Sequence, residues 1–265
     1  MTSSRLPAAT RGLLLCVAGL VFAVLQGCAS APNAHPRDPW EPFNRKVSSF
    51  NESVDEAVVK PVATAYQHVT PELVRTGVSN FFGNLSDVWS LVNNVLQLKP
   101  RESVETLFRV GVNTTIGLAG LIDVATELRL EKHREDFGQT LGYWGVPTGP
   151  YLVLPLLGPS TLRDAAALPV DRQGNLVSGL DDVATRNSLT ALNLVDLRAG
   201  LLSAGRLLED AALDKYTFTR DVYLQRRRAL VLEEAEPQSN PAEERYDLPE
   251  PDKSAAPAGA PPPKP

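Results

Sequence analysis

Between Trp40 and Leu232 apolar residues recur mostly at helical spacing. Phe43, Val47, Phe50, Val54 and Val58 lie four, three, four and four residues apart, which puts them on one face of a helix. Pro61 is expected to end or kink that helix. Thr70-Pro71-Glu72 reads as a second start, with a capping hydroxyl, proline at the first helical position and an acid near the positive end of the helix. Its face continues through Leu73, Val74, Val78, Phe81 and Phe82. Gly83-Asn84 then punctuates the pattern, and Leu85, Val88, Trp89, Val92, Val95 and Leu96 form a further stripe up to Lys99-Pro100. The next segment starts amphipathic and is uncharged from Val110 to Ile122. These 13 residues include three glycines and are too few to span a bilayer, so a helix ending near Gly117 to Gly120 is expected.

From Phe137 to Leu168 the helical period is lost. Gly138, Gly142, Gly145, Gly149 and Gly158 alternate with Pro147, Pro150, Pro155 and Pro159, which rules out one continuous helix. Tyr151 to Leu154 suits a short extended stretch, and the glycines suit a hairpin or closely packed loop. Helical patterning returns from about Ser188 to Leu208 and from about Asp214 to Leu232. Tyr216, Arg220 and Tyr223 share a face of the last helix, for which a structural role is favoured. The unit is mainly helical with an apolar irregular loop in its middle. Phe43, Phe50, Phe81, Trp89 and Phe108 fit either a buried core or a face turned to acyl chains, and the pattern leaves both open.

Charge divides the 265 residues. Residues 1–27 carry Arg5 and Arg11 and no acid, while 233–265 hold eight acids against three bases and nine of the 22 prolines. That tail is too poor in apolar surface to offset the entropy of ordering and is expected to be disordered. The body between them is nearly neutral, and with an isoelectric point near 5.3 there is no basic stripe to suggest nucleic acid as a partner.

The apolar run from Gly12 to Leu25 is too short for a comfortable span and reads as a signal peptide over 1–27. It closes as Leu25-Gln26-Gly27-Cys28, which resembles a bacterial lipoprotein box whose cysteine is acylated and becomes the first mature residue. By that resemblance Cys28 is the lipid attachment site, Ala29 after it suggests the outer membrane, and 28–39 is a polar tether to the body at 40–232. Once Cys16 leaves with the signal, the lone Cys28 can form neither an internal disulfide nor a thiolate metal cluster.

Nothing in the sequence points to catalysis. There is no GxSxG, HExxH or GxxxxGK[ST] motif, and His35, His68 and His133 are scattered without a partnered nucleophile. No cofactor or metal is expected.

Six blocks carry a resemblance: DPWEPFNRKVSSFN from Asp38, KPVATAY from Lys60, VRTGVSNFFGNL from Val74, RVGVNTTIGLAGLIDVA from Arg109, EDFGQTLGYWGVPTGPYLVLPLLGPSTLRD from Glu135 and DKYTFTRDVYLQRR from Asp214. In this order they resemble the MlaA, or VacJ, lipoprotein family across the whole body. Pro42 stands where a small residue is expected, and Lys215 where the family usually has proline.

The resemblance implies an all-α, ring-like bundle of amphipathic helices around a central channel, with a Gly/Pro-rich hairpin loop. It implies a Gram-negative outer-membrane lipoprotein, anchored on the periplasmic side, that takes misplaced phospholipids from the outer leaflet and passes them to a periplasmic MlaC-like lipid carrier beside a trimeric porin. Leu141, Gly142, Gly145, Gly149, Tyr151 and Leu154 would line or gate the channel. Phe43, Asn44, Val47, Phe50 and Asn51 would belong to a helix in the membrane interface. The alternative is a structural or porin-associated scaffold lipoprotein that conducts no lipid.

Overall fold

The structure is a computed structural model and describes residues 35–205 and 212–232. The expected signal peptide, Cys28, most of the tether and the acidic tail lie outside the described residues.

Helix α1 (Glu41–Val54) runs through a π-helical turn (Asp55–Val59) into α2 (Lys60–Val69). Pro61 therefore does not end the helix. The backbone widens in the turn before it, and the Lys60 N–H reaches back five residues to the Asp55 carbonyl. Helix α3 (Glu72–Leu96) begins after Pro71 without a side-chain cap, so the Thr70 hydroxyl does not serve as one. It also passes unbroken through Gly83-Asn84. A single glycine costs a helix only about 1 kcal/mol, and packing along α3 outweighs that.

Helix α4 (Pro100–Thr115) gives way to irregular turns at the expected glycines, followed by α5 (Val124–Glu127). The glycine-rich segment is more ordered than its sequence suggests. It contains α6 (Phe137–Tyr143), strands β1 (Tyr151–Leu154) and β2 (Gly158–Thr161), and α7 (Leu162–Gly174). Both helices start at side-chain caps: Asp136 accepts from the Gln139 N–H at 2.8 Å and Thr161 from the Asp164 N–H at 3.2 Å. β1 and β2 pair antiparallel, Tyr151 opposite Thr161 and Leu154 opposite Gly158. A 3-10 turn (Leu176–Gly179), α8 (Val183–Gly200) and α9 (Lys215–Leu232) complete the order, α8 starting before the expected Ser188.

The packing closes a circuit. α3 packs on α8, α8 on α2, α1 on β1, β2 on α9, α9 on α6, and α6 back on α3, while α4 lies along α3. Among the described residues no helix is long and apolar enough to cross a membrane.

The interior is mainly polar. Among the described residues twenty polar or charged side chains are buried against eleven hydrophobic ones, the reverse of an ordinary core. α3 buries Asn84, Asp87, Ser90, Asn93 and Asn94 along with Phe82, while Leu73, Val74, Val92, Val95 and Leu96 face outward. α4 buries Thr106, Arg109 and Asn113 and exposes Val104, Leu107 and Phe108. Among the described residues the hydrophobic packing forms small clusters: Tyr151, Val153, Tyr216 and Leu224 in one, and Ala63, Ala199 and Leu202 in another.

Candidate functional site

Buried polar groups cost several kcal/mol unless hydrogen-bonded, and here they form linked networks. Arg109, 1% exposed, donates through Nη2 to both Asp123 oxygens at 3.2 and 3.1 Å, with Asp87 at 3.8 Å from its Nε. Asn113 bridges the Asp123 carboxylate and the Ala125 N–H at 3.0 and 2.9 Å. Desolvation would raise the Asp123 carboxyl, but hydrogen bonds from Thr126 and Asn113 and the Arg109 charge outweigh it and hold it at about 2. Asp87 is raised, because its burial exceeds the pull of Lys132 and Arg109. Just past the end of α3, Gln97 donates to Glu135 and Thr140, both at 3.0 Å, and Thr140 donates to Asn93 at 2.8 Å.

The hairpin is held from the side by two asparagines of α1. Asn44 is fully buried. Its Nδ2 donates to Asp38 Oδ1 at 2.8 Å and the Tyr151 carbonyl at 3.1 Å, and its Oδ1 accepts from the Val153 N–H at 2.9 Å. Asn51, seven residues on and so on the same face, donates to the Leu154 carbonyl at 2.9 Å and accepts from the Leu156 N–H at 2.7 Å. Each amide thus pairs with hairpin backbone much as a neighbouring strand would.

The residues expected in the interface helix divide between its faces. Asn44 and Asn51 turn to the hairpin, and Val47 packs against the Tyr151 cluster. Only Phe43 and Phe50 of that set point outward, at 40% and 52% exposed. The motif showed the asparagines but not their partners, which lie more than a hundred residues away.

Of the expected gating residues, Leu141 and Gly142 belong to α6, and Tyr151 and Leu154 to β1. A Cβ on Gly142 would meet Arg163 Nη1 at 2.5 Å, so this glycine permits close helix packing. Gly145 and Gly149 fall in the exposed link between α6 and β1, at φ +88° and +70°, where a side chain is strained.

Two open cavities flank the hairpin, and Pro159 lines both. One, of about 640 Å³, lies toward α1, α8 and α9 and is crossed by three ion pairs: Arg45–Asp214 at 2.7 Å, Lys215–Glu52 at 2.5 Å and Arg198–Asp55 at 2.7 Å. The other, of about 390 Å³, lies toward α3, α6, α7 and α9.

The Tyr216, Arg220 and Tyr223 face is structural. Tyr216 and Arg220 contact Asp38, and Tyr223 donates to Asp164 at 3.0 Å. Burial and the Asp38 charge push the Tyr216 hydroxyl far up. Glu105, Glu131 and His133 bring potential ligand atoms within 4.8 Å of one another, but Arg101 and His133 already occupy Glu105 at 3.1 and 2.7 Å. Sequence reasoning missed Arg109, Asn113 and Asp123, although with Thr114 and Thr115 they are the polar positions of an otherwise apolar block, RVGVNTTIGLAGLIDVA.

Comparison with known proteins agrees with this architecture. The profile of the family described as MlaA lipoprotein matches residues 36–230. Proteins named intermembrane phospholipid transport system lipoprotein MlaA are similar to the chain. Those from Escherichia coli K12 and Shigella flexneri are each 37% identical over 238 residues, 86% of this chain and 93% of theirs. The chain spans about half the length of an uncharacterised Rickettsia typhi protein, RT0044, at 40% identity over 127 residues. The fold also matches a solved chain from work on the structural basis for maintenance of bacterial outer membrane lipid asymmetry. That match has a TM-score of 0.65 at 35% identity and covers 73% of this chain and 98% of the other. With its sequence blocks, helical circuit and polar interior, the chain belongs to the MlaA lipoprotein family.

Proposed function

We propose that this protein is a lipid-anchored lipoprotein of a Gram-negative outer membrane. It removes mislocalised phospholipids from the outer leaflet and passes them to a periplasmic lipid carrier of the MlaC kind, seated beside a trimeric porin. The observation that carries this reading is the reversed distribution of side chains, polar within and apolar without, on helices too short or too polar to span a bilayer.

Moving a phospholipid between leaflets takes a charged headgroup through hydrocarbon, and an unpaired charge there costs many kcal/mol. A closed circuit of helices with polar groups inside lowers that barrier, while Phe43, Phe50, Phe108 and Leu107 remain available to acyl chains. Such helices lie in one leaflet rather than crossing it. In this reading the central channel passes beside the hairpin, through the cavities on its two sides. Tyr151 and Leu154 form walls around it, Leu141 and Gly142 belong to the adjoining α6, and Gly145 and Gly149 let the connecting segment change shape. The chemistry is transfer without bond making or breaking and needs no cofactor. Cys28 carries the acyl anchor. One saturated chain holds a protein only marginally, so stable attachment needs more than one.

The test is deletion with complementation. Loss of the gene should raise outer-leaflet phospholipid, and the protein purified from membranes should bring phospholipid with it. Unchanged outer-leaflet phospholipid together with lipid-free protein would refute transport and leave a scaffold. Cys28→Ala should remove acylation and complementation together; full complementation would refute the need for the anchor.

A further inference from the structure

The 390 Å³ cavity beside the hairpin is lined by seven charged residues, and their pairing is unequal. Every carboxylate has a partner within the protein. Glu135 is held by Lys99 at 3.2 Å and Gln97 at 3.0 Å. Asp136 takes two bonds from Arg227, at 2.6 and 2.9 Å. Asp164 receives the Tyr223 hydroxyl at 3.0 Å and lies 2.9 Å from Arg227 Nε. Asp171 accepts from the Trp89 indole and the Phe137 N–H, both at 2.8 Å.

Among the cations only Arg227 is engaged. Arg134 and Arg226 line the same cavity and are exposed, and no described residue hydrogen-bonds or ion-pairs with either guanidinium, although the Arg134 charge also acts on Asp87. An entering ligand therefore meets satisfied carboxylates and two guanidiniums that no described residue engages. The remaining wall includes Leu154, Leu157, Leu168 and Leu230.

We propose that this cavity is a subsite for a phosphate carried on an apolar chain, with Arg134 and Arg226 holding the phosphate and the four leucines receiving the first acyl carbons. Guanidinium groups suit phosphate oxygens because they present several donors in a fixed plane. The leucine wall favours a lipid over free phosphate, whose solvation shell it cannot replace. The site also discriminates among headgroups. Phosphatidylglycerol has the phosphate as its only charge. Phosphatidylethanolamine brings an ammonium as well, which finds no unpaired carboxylate in the cavity and is repelled by the arginines. The inference rests on the transport reading above and adds a lipid preference to it.

The test uses the full chain in detergent with a mixed supply of phosphatidylglycerol, phosphatidylethanolamine and diacylglycerol, and retained lipids are counted by mass spectrometry. Three proteins are compared: wild type, the double variant Arg134→Gln with Arg226→Gln, and a charge-matched control, Arg172→Gln with Arg228→Gln, whose residues are exposed and outside the cavity. Wild type and control should favour phosphatidylglycerol over phosphatidylethanolamine. The cavity variant should lose phosphatidylglycerol by about tenfold relative to diacylglycerol, the size expected for charge-assisted hydrogen bonds at an exposed site.

An unchanged lipid ratio in the cavity variant, or an equal loss in the control, would overturn the subsite while leaving transport standing. Displacement of phosphatidylglycerol by an equal concentration of inorganic phosphate would overturn the lipid assignment. If wild type retains no phospholipid, the transport reading falls first and the subsite with it.

Discussion

Replacing Asn44 with alanine should release the hairpin. The side chain is fully buried and makes three hydrogen bonds, two to strand backbone and one to Asp38. Alanine leaves the buried Val153 N–H without an acceptor and removes a donor from Asp38, which keeps the Tyr216 hydroxyl and Arg220. Stranding buried polar groups costs roughly 1–3 kcal/mol each, so Asn44→Ala should cost roughly 3–5 kcal/mol. That is a large share of the 5–15 kcal/mol or so that holds a typical domain folded. Asn51→Ala should cost only about 1 kcal/mol, because the Leu156 N–H is exposed and water can replace the amide.

Urea unfolding in detergent gives the global effect, and amide hydrogen exchange gives the local one. In Asn44→Ala the Val153 amide should exchange hundreds to thousands of times faster, about as the 3–5 kcal/mol loss implies, and by a larger factor than the α4 amides. Unchanged Val153 protection, or equal costs for the two variants, would refute the view that α1 clamps the hairpin.

Further outcomes follow from the same geometry. Gly145→Ala should cost about 1 kcal/mol from left-handed backbone strain alone, since nothing lies within 4 Å of the added carbon. Gly149→Ala should cost more in the same unfolding assay, because its Cβ would sit 3.1 Å from Leu162 Cβ. Phe43→Ser with Phe50→Ser should weaken partition into phospholipid vesicles while leaving the unfolding midpoint in detergent nearly unchanged; a large fall in midpoint would mean that these rings belong to a core. Asp123 titrates at about 2 in the folded protein against an ordinary 3.8, so its ionised form contributes stability above pH 4 that is lost as pH falls through 2. Asp123→Asn should therefore lower stability at pH 7, and its deficit should shrink toward pH 2; an equal deficit at both would refute the assignment.

Much of the fold was legible in the sequence because helical periodicity is local. The stripes Phe43 to Val58 and Leu85 to Leu96 both became helices, and Tyr151 to Leu154 became a strand. What periodicity could not supply was orientation. The pattern separates apolar from polar faces but does not say which one turns inward, and in α3 and α4 the polar face does. Glycine also misled at Gly138. There a Cβ would meet Asp164 at 2.6 Å, so the glycine lets α6 pack closely against α7 rather than breaking a helix. The Asn44 and Asn51 clamps were hidden because their partners are backbone groups, which carry no residue signature.

In the transport reading phospholipid passes through the polar interior and not only around the apolar exterior. Photo-crosslinking in reconstituted membranes tests it most directly, with a benzophenone side chain placed at Phe108 on the outer face or at Leu154 in the cavity wall. Phospholipid adducts are expected at both positions, those at Leu154 falling when transfer is blocked. Adducts at Phe108 alone would contradict that reading and leave a membrane-seated scaffold.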